Sequence, residues 1–224
     1  MAATESDPDP LTPGLLLRAY AAGLFPMADD ASEEELHWVD PQQRGIFPLD
    51  AINVSRSLAK TIRSQKFEIR VDHSFDAVLE ACAESQPGRE TTWINGRIAE
   101  LFGQLFELGF AHSVEAWRDG ALVGGLYGLA LRGAFCGESM FHRATDASKV
   151  CLVHLAARLN CGGFRLLDAQ FLTPHLQSLG AVEISRAEYR ARLDDALHRP
   201  ADFAAFGRRD RDADEVLRWT RLAE

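Results

Sequence analysis

GFRLLDAQFLTPHLQSLGA, residues 163 to 181, is the stretch on which the fold turns. Phe164, Leu166 and Leu167 form a short apolar strand that ends at Asp168, and Thr173-Pro174 opens a helix that Gly180 closes. Open sheets place their chemistry where a strand gives way to a polar connection, which is where Asp168 and Gln170 fall. These two residues lie two apart, so extended backbone would put both side chains on one face. A second segment, FCGESMFHRATDASK at 135 to 149, carries Glu138 in the same setting of apolar strand, polar connection and helix.

Outward from these segments the pattern alternates. FEIRV at 67 to 71 is a strand; Phe75, Val78, Leu79 and Cys82 have helical spacing, as do Ile98, Leu101, Phe102 and Leu105 ahead of Gly109. HSVEAW and ALVGGLYGLAL flank Arg118-Asp119-Gly120 as a hairpin, and the strand AFCGESMF follows. Then come a helix from about Asp146, the strand FRLLD, the helix from Pro174, the strand AVEIS, and a helix capped by Ser185 with Glu188 in the capping-box position. Strand, two helices, three-stranded meander, helix, strand, helix, strand is the order of the N-acetyltransferase fold. The expected class is therefore α/β (α+β), with an acetyltransferase-like (GNAT-like) mixed sheet. At the N-terminus, Thr12 caps a helix that Gly23 ends, and Leu24 to Asp50 reads as irregular, with three prolines and the acids Asp29, Asp30, Glu33, Glu34 and Glu35. Residues 1 to 58 are expected as a small N-terminal domain and 59 to 224 as the catalytic domain with a C-terminal extension.

Acetyltransferases of this fold hold the coenzyme A pyrophosphate on the amides of a glycine-bearing loop at a helix N-terminus. The matching connection here, HRATDASK, has no glycine, which predicts a different acyl donor. Neither a signal sequence nor a membrane-length apolar run is present, so a cytoplasmic protein is expected. Cys82, Cys136, Cys151 and Cys161 lack zinc-ligand spacing and read as free thiols; no metal and no cofactor are expected. The net charge of −9 argues against bulk attraction to nucleic acid. Yet Ala51 to Phe67 has no acid, and Arg56, Lys60, Arg63 and Lys66 recur near one helical turn opposite Val54, Leu58 and Ile62. That face is either an ordinary solvated surface or a phosphate-binding patch.

GESMF at 137 to 141, ASK at 147 to 149 and DAQ at 168 to 170 together resemble the leucyl/phenylalanyl-tRNA-protein transferase family. LLLRAYAAGLFPM, HWVDP, VSRSL, TTWI, AHSVEAW and LVGGLYGLA match its pattern in order, over about four-fifths of the chain. The resemblance implies transfer of Leu or Phe from aminoacyl-tRNA to the N-terminal α-amine of an acceptor protein, marking it for degradation. It also implies an acetyltransferase-like domain that does without coenzyme A.

An aminoacyl ester is already activated, whereas an α-amine with a pKa of about 7.7–8.0 must lose a proton to attack. The enzyme's task is positioning, a proton acceptor and oxyanion stabilisation, with no need for a serine or cysteine nucleophile. Asp168 and Gln170 are the expected catalytic pair, Gln170 orienting the amine and Asp168 polarising it; the alternative is a turn cap and a satisfied amide. Glu138 is either a buried structural acid or, as the resemblance implies, the acceptor of hydrogen bonds from the donor's α-amino group. Trp93, Leu126, Phe135 and Met140 match the family's pocket positions, and Trp38 with Trp93 would stack on the terminal adenosine. The helix after ASK carries Leu155 and Leu159 where aromatic residues are common in the family, and the tail from Pro200 matches nothing recognisable. A monomer is expected. Rival readings are a coenzyme A-dependent N-acyltransferase and a non-catalytic tRNA-binding module.

Overall fold

The computed structural model describes residues 11–28, 36–84, 92–207 and 212–220; the acidic run at 29–35 lies outside them. In chain order the elements are α1 (Pro13–Ala21), β1 (Phe25–Met27), β2 (His37–Val39), β3 (Gln43–Phe47), α2 (Arg56–Arg63), β4 (Glu68–Val71), α3 (Phe75–Ala83) and α4 (Gly96–Glu107). There follow β5 (Ala111–Arg118), β6 (Ala121–Leu131), β7 (Ala134–His142), α5 (Ala147–Cys161), β8 (Leu166–Gln170), α6 (Pro174–Ser178), β9 (Val182–Ser185), α7 (Arg186–Leu197) and α8 (Ala213–Trp219).

The result is a mixed α/β fold around a seven-stranded sheet ordered β4-β5-β6-β7-β8-β3-β9, in which β7 and β8 are the parallel neighbours. Consecutive residues of one strand feed different cores: Leu126 and Phe135 pack with α5, whereas Tyr127 and Cys136 pack with α1, α3 and α4. The sheet is thus covered on both faces, which is why the eleven-residue β6 is buried without interruption from Val123 to Leu129. Helix α5 is buried along nearly its whole length because the sheet lies beneath it and α2 and α8 lie above.

The segment from Leu24 to Asp50, expected to be irregular, contains three short strands. β1 and β2 pair as a ribbon, and β3 enters the large sheet between β8 and β9, antiparallel to both. A strand from ahead of residue 58 therefore forms part of the interior of the large sheet. Prolines at 41 and 48 flank β3 and hid it, together with Gln43 and Arg44, which break the apolar run. The unplaced tail also has a position: Arg158 of α5 donates to Phe203 O at 2.9 Å and to Gly207 O at 2.5 Å, and Asn160 donates to Trp219 O at 2.7 Å.

Two devices interrupt the sheet near its centre. Tyr127 pairs with Ser139 and Gly128 with Gly137, which leaves Glu138 as the extra residue of a β-bulge. The β7–β8 ladder stops at Cys136 and Asp168, so the strands part beyond it. On the other side of β8, a Cβ at Gly45 would stand 2.7 Å from Phe171 C and 2.8 Å from Leu172 N. Gly45→Ala should therefore lower unfolding stability by about 1–3 kcal/mol in urea denaturation. Gly103→Ala, in the interior of α4 with open space around it, should be neutral or stabilise by about 0.5–1 kcal/mol.

Candidate active site

Where β7 and β8 part, the chain turns sharply. Gln170 has φ 55°, a left-handed conformation that costs a residue with a side chain, and Phe171 N donates to Ala169 O at 2.7 Å to close a three-residue turn. Asp168 holds that turn, since its Oδ1 accepts the Gln170 backbone N–H at 3.0 Å. The Gln170 side chain then reaches over the gap, Nε2 donating to Glu138 Oε1 at 3.2 Å. Its amide oxygen accepts no hydrogen bond from the described residues.

Asp168 is itself fully enclosed. Arg44 Nε donates to Oδ1 at 2.8 Å and Arg44 Nη2 to Oδ2 at 2.6 Å, while Tyr189 Oη donates to Oδ2 at 3.0 Å. Each carboxylate oxygen thus has two donors. Arg44 Nη1 donates to Gly23 O at 3.1 Å, and the guanidinium lies between the rings of Phe25 and Tyr189, 4.5 and 4.3 Å from their centroids. Burial opposes the Arg44 charge, but the hydrogen bond and charge of Asp168 outweigh it and hold the pKa above its usual value. Burial, then the Asp168 charge, push the Tyr189 hydroxyl up, so it remains a donor.

Glu138 has no such cation on it. Burial pushes its carboxyl up to about 8, and the nearby Asp168 charge adds to the rise. Tyr20 of α1, Arg44 and Gln170 draw it partly back. The Tyr20 hydroxyl is buried and has no partner in hydrogen-bonding geometry among the described residues, although it stands close enough to Glu138 to act on it.

Two clefts meet at this pair. The first, about 510 Å³ of empty space, is walled by Phe47, Leu126, Met140, Leu152, Leu155 and Leu176, with Glu138 and Gln170 as its polar edge. The second, about 540 Å³, is walled by Phe25, Pro26, Met27, Trp93, Phe171 and Thr173, and again by Glu138 and Gln170. The structure therefore brings together Glu138, Asp168, Gln170, Leu126, Met140 and Trp93 of the expected set.

It sets others apart. Phe135 is fully buried, stacked on Phe203 of the tail at 5.6 Å, and is not a wall of either cleft. Trp38 is 40% exposed on β2, opposite Pro26; Met27 stands in the second cleft instead. Arg56 and Lys60 lie exposed on α2, but Arg63 pairs with Asp214 of α8 at 3.0 Å, and Lys66 lies beyond the helix end with its ammonium 5.4 Å from the Phe67 ring. Arg44, Tyr20 and Tyr189 were not singled out from the sequence. No cluster of three or more potential metal-ligating residues occurs among the described residues, nor does any helix long and apolar enough to cross a membrane.

Comparison with known proteins is decisive for the family. The family model described as leucyl/phenylalanyl-tRNA protein transferase matches residues 46–194, and that of the corresponding N-terminal domain matches residues 9–42. The chain belongs to the leucyl/phenylalanyl-tRNA protein transferase family. Its relatives of that name include a protein of Paramagnetospirillum magneticum, 63% identical over 87% of this chain and 93% of that protein. Others are from Afipia carboxidovorans, 58% identical over 92% and 90% respectively, and Rhodopseudomonas palustris, 57% identical over 87% of each chain. Both polar groups between the clefts, Glu138 and Gln170, lie within the residues 46–194 that the family model matches.

The raised Glu138 pKa has a thermodynamic signature. Between the unfolded carboxyl pKa of about 4.5 and the folded value of about 8, the folded state keeps a proton that the unfolded state has released. Stability contributed by the protonated carboxyl is thus present below the lower value and falls as pH rises through that window, at up to about 1.4 kcal/mol per pH unit. Glu138→Gln should flatten the decline in unfolding free energy between pH 5 and 8. An unchanged slope would mean that Glu138 titrates normally.

Proposed function

We propose that the chain transfers leucine or phenylalanine from charged tRNA to the N-terminal α-amine of an acceptor protein, creating a degradation signal. Membership of the transferase family supports the reaction, and the observation that carries the mechanism is the Glu138–Gln170 pair standing between two clefts. The donor's side chain occupies the first cleft, whose walls are mostly apolar, with the polar groups Glu138, Asp168 and Gln170 gathered at one edge. The terminal adenosine lies in the second, against Trp93, with Met27 and Phe171 as further apolar walls. The ester carbon is then held beside Gln170.

In this reading Gln170 accepts a hydrogen bond from the attacking amine through its unpartnered amide oxygen, which aligns the nitrogen lone pair with the ester carbon. Glu138 faces the donor's α-amino group and, with its carboxyl pushed up to about 8, is mostly protonated near neutral pH, so it accepts a proton only in its ionised fraction. The amine nitrogen bonds to the carbonyl carbon, the tetrahedral intermediate collapses, and the tRNA ribose oxygen leaves with a proton. We also propose an acetyltransferase-like core from β4 to β8, supported by the element order and by the parallel strands that part at the site. The enzyme works as a cytoplasmic monomer in this proposal, with Arg56 and Lys60 of α2 meeting tRNA phosphates. A coenzyme A-dependent reaction is not favoured: the first turn of α5 presses on β6, where a Cβ at Gly124 would stand 2.5 Å from Ala147 Cβ.

Incubation with labelled leucyl-tRNA and peptides bearing different N-termini tests the reaction. Label should pass to the peptide, about 50-fold faster from leucyl- than from alanyl-tRNA, since leucine buries about three more carbons than alanine at about 0.8 kcal/mol each. Gln170→Ala should lower turnover about 100-fold with little change in tRNA affinity. Comparable transfer from alanyl-tRNA would overturn the pocket assignment, and no transfer at all would overturn the reaction. Replacing Arg56 and Lys60 with Ala should lower the slope of log affinity against log salt by about one per lost phosphate contact. An unchanged slope would return α2 to a solvated face.

A further inference from the structure

We propose that Arg44 is a positioning residue of the transfer reaction: by clamping the Asp168 carboxylate it fixes the left-handed turn that holds Gln170 against Glu138. The proposal rests on the reading of Gln170 as the group that orients the amine.

Three observations converge on Arg44. The first is geometric: from guanidinium to Asp168 carboxylate to Gln170 backbone N–H, each link is a hydrogen bond of 2.6–3.0 Å, and the last one restrains a residue at φ 55°. Such a conformation persists only when its surroundings over-determine it. The second is energetic. Arg44 and Asp168 are 1% and 0% exposed, and a buried ion pair gains little over an apolar pair of equal volume, so stability alone is a weak reason for two charges here. Position is a better one, because the guanidinium fork fixes a carboxylate in a plane that no apolar contact would define.

The third observation is that the clamp touches both clefts. Arg44 packs on Phe25, a wall of the second cleft, whose ring meets that of Phe171 edge-on at 5.6 Å. Gly23, whose carbonyl Arg44 binds, lies between α1 and β1, so the same side chain ties the N-terminal segment to β8. With all four of its acceptor directions filled, Asp168 has no place for a proton from substrate. It acts through Gln170 and is a positioning residue in its turn.

Three variants test the clamp: Arg44→Lys, which keeps the charge and loses the fork; Arg44→Met, which loses both; and Tyr189→Phe, which removes one donor to Asp168 and keeps the ring. Single-turnover transfer, equilibrium binding of leucyl-tRNA and backbone amide hydrogen exchange are measured on each. Arg44→Lys should lose about 100-fold in transfer rate and Tyr189→Phe about 3- to 10-fold, with donor affinity within twofold of the parent. The Gln170 amide should exchange at least tenfold faster in Arg44→Lys while the amides of β6 remain as protected as before. A purely structural role predicts otherwise, namely that exchange rises across the whole sheet and that rate and affinity fall together.

Arg44→Met adds an electrostatic readout, because it leaves the Asp168 charge unopposed beside Glu138. The Glu138 titration, followed by carboxyl 13C NMR, should move to higher pH than in the parent. Should Arg44→Met not fold, Arg44→Lys and Tyr189→Phe still decide. Parental transfer rates in both would overturn the proposal. If the parent transfers nothing from leucyl-tRNA, the functional reading falls by itself, and the Gln170 amide alone then supports or overturns the clamp.

Discussion

The ion pair between Arg44 and Asp168 is the constraint on which the arrangement of this molecule depends. It joins β3 to β8, its neighbour in the sheet, to α7 through Tyr189, and to the turn after α1 through Gly23. Taking two charges out of water costs several kcal/mol each, and only complete hydrogen bonding in the interior offsets it. That completeness is present: both carboxylate oxygens and all three guanidinium nitrogens are engaged. Within the pair the Arg44 charge opposes the effect of the Asp168 charge on Glu138, and burial dominates the rise of that carboxyl. Two acids beside a common gap thus have different surroundings, Asp168 held by an ion pair and hydrogen bonds and Glu138 governed chiefly by its burial.

The regular part of the fold was legible because its patterns are local. The Asp119-Gly120 hairpin has positive φ at both residues, 53° and 77°, as a tight turn between twisted strands demands. Ser185 accepts the Glu188 N–H at 3.2 Å, and Thr12 and Thr173 cap their helices as read. What was not legible depends on distant partners. Arg44 in a stretch between prolines looks like an ordinary surface cation; its burial follows from a carboxylate 124 residues away. The same holds for β3, whose strand character is fixed by β8 and β9 rather than by its own five residues.

The site followed the same division. Glu138, Asp168 and Gln170 stood out because each lies where an apolar strand meets a polar connection, whereas which apolar neighbours face the cleft was decided elsewhere. Phe135 and Met140 occupy one strand and read alike, yet Phe203 covers the first and leaves the second at the cleft wall. Asp214 likewise pairs with Arg63. Both corrections come from the tail beyond Pro200, whose sequence offers no periodic pattern to place it. Tyr20 could be found only by its effect on Glu138, since nothing in LLLRAYAAG separates a core tyrosine from one that serves a site.

The place of β3 in the sheet bears on how the molecule is made. Residues 43–47 pair with Gly45 opposite Gln170 and Gln43 opposite Ser185, so their partners leave the ribosome well over a hundred residues later. Closing a loop of that length costs about 4 kcal/mol of chain entropy beyond a constant, before any contact offsets it. The hairpins and helices between can form early, since their contacts are local. During synthesis the segment carrying Arg44 must therefore wait, unpaired, for β8 and β9. A nascent chain can hold most of its sheet and still have no clamp on Asp168, which ties the birth of the active centre to the last steps of folding.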